Sequence, residues 1–337
     1  MYELSSRIII SDMPGSIHSE SAIQYYKQIN APPRVISILE QGYKLPFLEE
    51  KVESFWIPNN QSLFKNYTFA EAKLEEWIKD GYVIETFERP NHISALSVAT
   101  RITVDDKVKL RLCLDASHLN ELLLTEATKL STLELSEGLI EKGDFFITLD
   151  LSNAYFHVKL HKEDHDKVAF AFPITNDRNK DRFRFFYIRI LVYGLKPATM
   201  VLNTLTKPLI DHLGTLNIRS NIFIDDQRIN NNTAVAVSKD TIIVKQVFTK
   251  AGWVFNNSKE TPPEQVVYYL GHWYNSTTQR YKVHDNKIAQ VERRIKELEE
   301  KNFSATPQEL ASIVGKLVSF ELQFQTISRF ICKFPTT

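Results

Sequence analysis

The chain has 337 residues, of which 43% are hydrophobic, and 41 lysines and arginines balance 41 aspartates and glutamates. This composition supports one large multi-lobed domain or two ordinary ones, and it gives no whole-protein basic signal for nucleic acid, although a neutral protein can still carry a basic groove. No apolar run reaches the roughly 18 residues of a spanning helix, the first 15 residues do not resemble a secretory signal, and two cysteines cannot form a disulfide framework. We therefore expect no membrane partner and an intracellular protein, with cytoplasm and nucleus not distinguished.

Local patterns predict the elements of the first half of the chain. Prolines interrupt residues 1–60, which are predicted to form an irregular N-terminal extension. The apolar spacing within 69–80 predicts an amphipathic helix that ends before Gly81. Strands are predicted within 82–115, over 145–151 and over 184–195.

The second half mixes helices and strands in an irregular order. Helices are predicted over 197–213, 241–252 and 286–300, a hairpin over 221–229 and a strand over 266–274. Thr306 and Glu309 have the spacing of a capping box, which predicts a last helix extending to about residue 324. The lack of regular βα alternation favours an α+β fold.

Acidic residues interrupt two otherwise apolar strands. Asp150 lies in FFITLDL, and Asp225 with Asp226 lies in NIFIDDQRI. Burying a carboxylate is costly unless it is paired or binds a metal, and oxygen ligands favour Mg²⁺. Two such ions could stabilise an in-line phosphoryl transfer. The alternative is a polar hairpin tip at 225–226 and a helix N-cap at Asp150.

Six motifs between residues 77 and 324 occur in one order: KLRLCLDASHLN (109–120), FITLDLSNAYFHVKL (146–160), ILVYGLKPAT (190–199), FIDD (223–226), AGWVFNNSK (251–259) and YLGHWY (269–274). Together they resemble the motifs of retroelement reverse transcriptases, closer to DIRS-type or long-terminal-repeat retrotransposons than to retroviruses. The resemblance implies an α+β right-hand polymerase fold with fingers, palm and thumb, an antiparallel palm sheet and a helical thumb.

The resemblance also implies a two-metal centre. Asp150, Asp225, Asp226 and the backbone carbonyl of Leu151 would hold two Mg²⁺ ions, with Mn²⁺ as an alternative. Lys259 would protonate the departing pyrophosphate. The reaction would be RNA-directed DNA synthesis, in which deoxynucleotides are added to a primer 3′ end.

Further residues receive nucleotide and primer roles from the same resemblance. Arg111 would contact the triphosphate, because a guanidinium binds phosphate with two hydrogen bonds. Tyr155 would lie beneath the sugar and exclude a 2′-hydroxyl, and Tyr193 with Gly194 would line the nucleotide and template side. Leu270 and Gly271 would form the primer grip.

The implied organisation is an N-terminal extension over 1–60, fingers and palm over 61–283 and a helical thumb over 284–337. The implied partners are an RNA or DNA template with its primer, deoxynucleoside triphosphates and other parts of a retroelement polyprotein. Three positions depart from the family pattern: Phe223 replaces a Tyr, and Val192 and Thr199 replace prolines.

Two other functions remain open. A nucleic-acid-binding protein without catalytic activity, retained from a retroelement, would keep the fold. A two-metal nuclease would keep the acids without needing Tyr155, Lys259 or the Leu-Gly motif.

Overall fold

The structure, a computed structural model, describes residues 16–49, 52–102, 108–124, 138–177 and 182–318. The chain divides into two compact units. The first comprises Met1–Leu130, Leu151–Leu216 and Val244–Asn256, and the second comprises Ser131–Asp150, Asn217–Ile243 and Asn257–Thr337. No helix within the described ranges has both the length and the apolar character that crossing a membrane requires.

The first unit is built on a mixed six-stranded sheet. Its centre is apolar, and Phe170, Phe172 and Phe186 are fully buried. Its strands are β1 (Phe55–Trp56), β2 (Val83–Thr86), β3 (His92–Ile102), β4 (Val108–Asp115), β6 (Ala169–Pro173) and β7 (Phe183–Ile188). They are hydrogen-bonded in the order β1-β3-β6-β7-β2, and β4 pairs with β3.

The second unit contains two antiparallel three-stranded sheets. The first is ordered β5-β9-β8 and the second β10-β11-β12. Phe146 packs in a buried cluster with Val267, Tyr269 and Tyr274. The strands are β5 (Phe145–Asp150), β8 (Arg219–Phe223), β9 (Asp226–Asn231), β10 (Val266–Tyr269), β11 (His272–Asn275) and β12 (Arg280–Val283).

The helices predicted over 69–80, 197–213 and 286–300 are present at nearby bounds, whereas the helix predicted over 241–252 begins earlier, at Ala234. The α-helices are α1 (Glu20–Gln28), α2 (Pro33–Gln41), α3 (Gln61–Lys65), α4 (Tyr67–Lys79), α5 (Ser117–Glu121), α6 (Ala198–Thr215), α7 (Ala234–Lys250), α8 (Asp285–Glu300) and α9 (Pro307–Val318). The predicted capping box at α9 is confirmed, because Thr306 N donates to Glu309 Oε2 and Glu309 N donates to Thr306 Oγ1. The predicted continuation to residue 324 lies outside the described residues.

The described part of the N-terminal extension is more regular than predicted. Two helices form there because proline starts α2, with Pro33 at a position where no N–H is needed, and because Ser19 caps α1. Tyr26 on α1 is buried, donates to Leu205 O and accepts from Trp253 Nε1, each at 2.9 Å. These long-range hydrogen bonds attach α1 to the rest of the first unit.

Two predicted strands end earlier or contain a turn. The apolar run over 184–195 is a strand only to Ile188, and a turn follows in which Gly194 has a φ of 93°. The run over 266–274 is a hairpin, because Leu270 and Gly271 both have positive φ and reverse the chain between β10 and β11. Apolar content alone predicted strand in both places, whereas backbone conformation at the glycines determines the turns.

A buried ion pair holds one end of the β5-β9-β8 sheet. Asp144, fully buried just before β5, accepts two hydrogen bonds of 2.8 Å from the Arg219 guanidinium on β8. The same carboxylate accepts from Asn230 Nδ2 on β9 at 2.9 Å. One carboxylate therefore joins all three strands of this sheet.

We expect Asp144→Ala to lower the free energy of unfolding by about 3 kcal/mol, because it leaves the largely buried Arg219 guanidinium with the exposed Glu141 carboxylate, 3.6 Å away, as its remaining charged partner in the described structure. Urea unfolding followed by circular dichroism measures this change. The matched control is Asp211→Ala, which removes an exposed pair with Lys207 four residues apart and should cost no more than about 0.5 kcal/mol. Similar small losses in both variants would show that the Asp144 pair does not hold the sheet.

Candidate functional site

The register of β5 with β9 brings two of the predicted catalytic acids together. Asp150, the last residue of β5, lies directly opposite Asp226, the first residue of β9. Side chains directly opposite in an antiparallel pair lie on the same face, with Cβ atoms about 5 Å apart. Asp150 is 7% exposed, whereas Asp226 is open to solvent.

The third acid lies in the hairpin turn between β8 and β9. Phe223 pairs with Asp226, so Ile224 and Asp225 form a two-residue loop. Ile224 has a φ of 61°, which is the sign required at the first loop position of a II′ turn. A β-branched residue rarely adopts this conformation, so the turn that presents Asp225 carries local backbone strain.

The three carboxylates interact electrostatically. Loss of hydration, reinforced by the carboxylates of Asp225 and then Asp150, raises the pKa of Asp226 to about 6, and the Lys259 ammonium opposes the shift. Like charges held close together disfavour one another's ionised forms. The site therefore binds positive charge more favourably than three isolated carboxylates would.

Lys259 supplies positive charge to this cluster. It lies in the short 3-10 turn Asn257–Lys259, and its Nζ donates to Asp150 Oδ2 at 2.6 Å. The lysine side chain is 56% exposed, whereas the Asp150 carboxyl is 10% exposed. The structure therefore brings together the three predicted acids and the predicted proton donor in the second unit.

The donors are of the type that a hard divalent cation prefers. They are all carboxylate oxygens, and their mutual repulsion, seen in the raised pKa of Asp226, is the feature that a bound cation relieves. Within the described ranges, no group of three or more His, Cys, Asp or Glu side chains is placed so that it could hold a metal ion together. Asp150 instead pairs with the Lys259 ammonium.

Tyr155 lies in the first unit, on the 3-10 turn Ala154–His157 that follows Leu151–Asn153. Its side chain is 6% exposed, and its ring meets the Tyr193 ring edge-on with centroids 4.6 Å apart. Its hydroxyl is 3.3 Å from Thr199 Oγ1 at the start of α6. The structure therefore places Tyr155 and Tyr193 together, with Thr199 as a hydrogen-bond partner.

The turn at Gly194 is joined to the end of the first motif. Asn120 Nδ2 donates to Gly194 O at 2.7 Å, and Lys196 N donates to Asn120 Oδ1 at 2.8 Å. Lys196 Nζ also donates to Leu123 O. Asn120 and Lys196 received no role from the sequence, although both belong to quoted motifs, because the motifs gave no sign that they bond to each other.

The residue predicted to bind the triphosphate lies on a strand of the first unit, and those predicted to grip the primer lie in a turn of the second. Arg111 is exposed on β4 of the first unit, opposite Ala99 on β3. In the second unit, Leu270 and Gly271 form the two-residue turn between β10 and β11, with φ values of 49° and 82°. Positive φ at both positions is typical of a type I′ turn.

The sequence matches one protein-family model. The model is described as reverse transcriptase (RNA-dependent DNA polymerase), and it covers residues 89–274. That span contains all six quoted motifs. No curated protein sequence matches the chain significantly.

Solved structures share the fold. A foamy viral protease-reverse transcriptase bound to double-stranded DNA aligns over 92% of this chain with a TM-score of 0.60, and one bound to an RNA/DNA hybrid aligns over 88% with a TM-score of 0.59. Each is 14% identical to this chain, which spans 66% and 40% of their respective lengths. A third such structure, "dRH" with double-stranded DNA, has a TM-score of 0.60 at 14% identity, over 88% of this chain and 52% of that one. The predicted α+β right-hand polymerase fold is confirmed.

The raised pKa of Asp226 predicts a pH-dependent stability. The folded chain holds this proton more tightly than the unfolded chain, so stability is highest below the carboxyl's ordinary pKa and falls as pH rises from about 4 through about 6. We expect Asp226→Asn, without divalent cations, to be more stable than wild type at pH 7.5 by at most about 1 kcal/mol, because solvent screens this exposed side chain. The difference should vanish near pH 4.

Thermal unfolding in EDTA across this pH range measures the effect, with exposed Asp211→Asn as the control. A stability difference that is the same at pH 4 and pH 7.5, or an Asp226→Asn variant that is less stable at pH 7.5, would contradict the proposed repulsion.

Proposed function

Because the chain belongs to the reverse transcriptase (RNA-dependent DNA polymerase) family, we propose that it extends a primer 3′ end with deoxynucleotides on an RNA or DNA template. The observation that carries the proposal is the pairing of Asp150 with Asp226 across β5 and β9, beside Asp225 in the adjoining turn. A structural hairpin has no need for three interacting acids at one end of a sheet, since their repulsion lowers stability.

Asp150, Asp225, Asp226 and the backbone carbonyl of Leu151 would hold two Mg²⁺ ions, or Mn²⁺ in their place. Bound there, the ions would stabilise the charge on the attacking and leaving oxygens of an in-line phosphoryl transfer. The protein's part is to hold the carboxylates in place before substrate binds. The β5-β9 ladder supports this role because both strands are hydrogen-bonded along their whole length.

Lys259 would give a proton to the departing pyrophosphate. Its exposed side chain can leave the Asp150 carboxylate without a large desolvation cost. Its ammonium also lowers repulsion in the cluster when no substrate is bound, as its opposing effect on the pKa of Asp226 indicates. A lysine in this position can therefore serve first as a counter-ion and then as a general acid.

Arg111 would bind the triphosphate of the incoming deoxynucleotide, and Tyr155, Tyr193 and Gly194 would contact its sugar and the template side. Exposure of the Arg111 guanidinium on β4 supports the first role. The contact of the Tyr155 ring with Tyr193 supports the sugar-contacting role, since it limits the positions that the Tyr155 ring can adopt.

The type I′ turn at Leu270 and Gly271 would grip the primer. In this organisation residues 1–60 precede fingers and palm over 61–283, and the helices from residue 284 onward form the thumb. We further propose that the chain is the polymerase portion of a retrotransposon polyprotein. The spans of 40% and 66% in the foamy viral structures are consistent with a larger protein.

The first expected outcome concerns the acids. Asp150→Asn and Asp225→Asn should each reduce primer extension by about 100-fold or more, because one preorganised charged group contributes this much to transition-state stabilisation. The measurement is single-turnover primer extension with Mg²⁺, and circular dichroism verifies folding. Asp211→Asn on the exposed face of α6 is the matched control and should extend normally. Extension near the wild-type rate by either variant would contradict the catalytic assignment.

The second expected outcome concerns Tyr155 as the steric gate, the side chain that would exclude the 2′-hydroxyl of a ribonucleotide. Tyr155→Val should raise ribonucleotide use relative to deoxynucleotide use by roughly 5- to 150-fold, because steric overlap costs about 1–3 kcal/mol. Thr199→Val, which removes the hydroxyl facing Tyr155 but keeps the volume, should shift the ratio in the same direction by a smaller factor.

The readout for both variants is the ratio of kcat/KM for a deoxynucleotide and its ribonucleotide on one template. An unchanged ratio in a folded Tyr155→Val variant would place the gate elsewhere. Equal loss of both activities together with lower stability would show instead that Tyr155 is a core residue.

A further inference from the structure

A cavity of about 450 Å³ lies entirely within the first unit. Its wall is formed by the end of α2, the turn between α4 and β2, the segment after Ser152 and the residues around Arg189. The residues given nucleotide roles above, Arg111, Tyr155, Tyr193 and Gly194, do not line it. Its volume is within the range of small-molecule sites in proteins.

Arg189 is a half-buried charge in this cavity with few hydrogen bonds. Its guanidinium is half-buried, and the one hydrogen bond it makes to described residues is a long contact of 3.4 Å from Nη1 to Gly81 O. Desolvation by burial lowers the pKa of Arg189, and no carboxylate among the described residues offsets this effect. An arginine keeps its charge in proteins, so an anion in the cavity would supply the missing partner.

The other charged groups leave the cavity positive. Lys159 and Lys162 line it on the exposed side, against Glu40 and Asp80. Glu40 already pairs with Lys27 at 2.7 Å, so part of the negative charge is neutralised from outside the cavity. The lining therefore carries three basic side chains, Arg189, Lys159 and Lys162, and two acidic ones.

Hydrogen bonds to backbone groups hold the histidines of the cavity in place. His18 Nδ1 donates to Leu39 O, and His18 Nε2 accepts from Lys159 N, each at 2.8 Å. Burial lowers the pKa of His18 to about 4, so this ring is neutral at physiological pH. His157 and His165 each place Nε2 near a backbone carbonyl, at 3.0 and 3.1 Å. These hydrogen bonds fix the positions of the three histidine rings that line the cavity.

One side of the cavity is aromatic. Tyr82 and Phe156 meet edge-to-face with ring centroids 5.1 Å apart, and Ile190 and Val254 add apolar surface. A flat ring packs well against such a surface, and a phosphate pairs well with arginine. We propose that this cavity binds a phosphate-bearing aromatic small molecule of the size of a nucleoside monophosphate, with the phosphate at Arg189 and the ring at Tyr82 and Phe156.

The test is isothermal titration calorimetry of the full chain with 5′-AMP in EDTA, so that metal-dependent binding elsewhere does not contribute. Adenosine and inorganic phosphate are the partial ligands. AMP should bind at least about tenfold more tightly than either one, because it engages both parts of the cavity. Arg189→Gln should weaken AMP binding about tenfold or more, since one charge-assisted contact is worth about that factor.

Arg182→Gln, an exposed arginine that does not line the cavity, is the matched control and should bind AMP as wild type does. Asp150→Asn should also bind normally, which separates this site from the proposed catalytic one. If Arg189→Gln does not fold, the exposed Lys162→Gln should show a smaller loss in the same direction.

No AMP binding at 10 mM, on the order of the weakest specific interactions, would overturn the proposal. Equal AMP affinity in the folded Arg189→Gln and Arg182→Gln variants would also overturn it. If Lys162→Gln is used because Arg189→Gln does not fold, equal AMP affinity in Lys162→Gln and wild type would overturn it. Loss of AMP binding in Asp150→Asn would place the ligand at the catalytic acids instead. These results do not depend on primer extension, so the two proposals can fail separately.

Discussion

The register between β5 and β9 is the constraint on which the candidate catalytic site depends. At one end of the sheet, Asp144 binds Arg219 and Asn230 and so fixes three strands relative to one another. At the other end the same register places Asp150 opposite Asp226. Because side chains alternate along a strand, a slip of one residue would turn Asp150 to the opposite face. A structural ion pair therefore positions the acids from the far end of the strands.

The acids themselves oppose the stability of this sheet. The repulsion that raises the pKa of Asp226 is unfavourable in the absence of cations, and the positive φ of Ile224 adds strain in the adjoining turn. Proteins tolerate such features where function needs them and other contacts compensate. Here the buried Asp144 pair and the Phe146 cluster supply the compensation within the same unit. Stabilising contacts therefore lie at the start of β5, and the destabilising repulsion between acids lies at its end.

The sequence predicted the features that depend on local pattern. The acids in apolar strands, the hairpin at 221–229 and the capping box at Thr306 follow from neighbouring residues, and the structure has each of them. The ordered motifs predicted the family, which the match over residues 89–274 confirms. The roles of Asp150, Arg111, Tyr155 and the other site residues remain proposals.

Contacts between distant residues were not predictable in this way. Asn120 and Lys196 are 76 residues apart, and Thr199 meets Tyr155 across 44 residues, so no local periodicity connects them. Helix α2 was missed because its proline acts as a helix start, and α1 was missed because its start depends on the Ser19 cap and not on proline content. The positive φ at Leu270 was also missed, because it follows from the pairing of the flanking strands β10 and β11.

The central claim is tested most directly by adding one deoxynucleotide at a time, with Mg²⁺, to the full chain on a labelled DNA primer annealed to RNA. The account predicts a one-nucleotide product with the complementary deoxynucleotide alone, whereas a bound but unextended primer, or a shortened one, would contradict it.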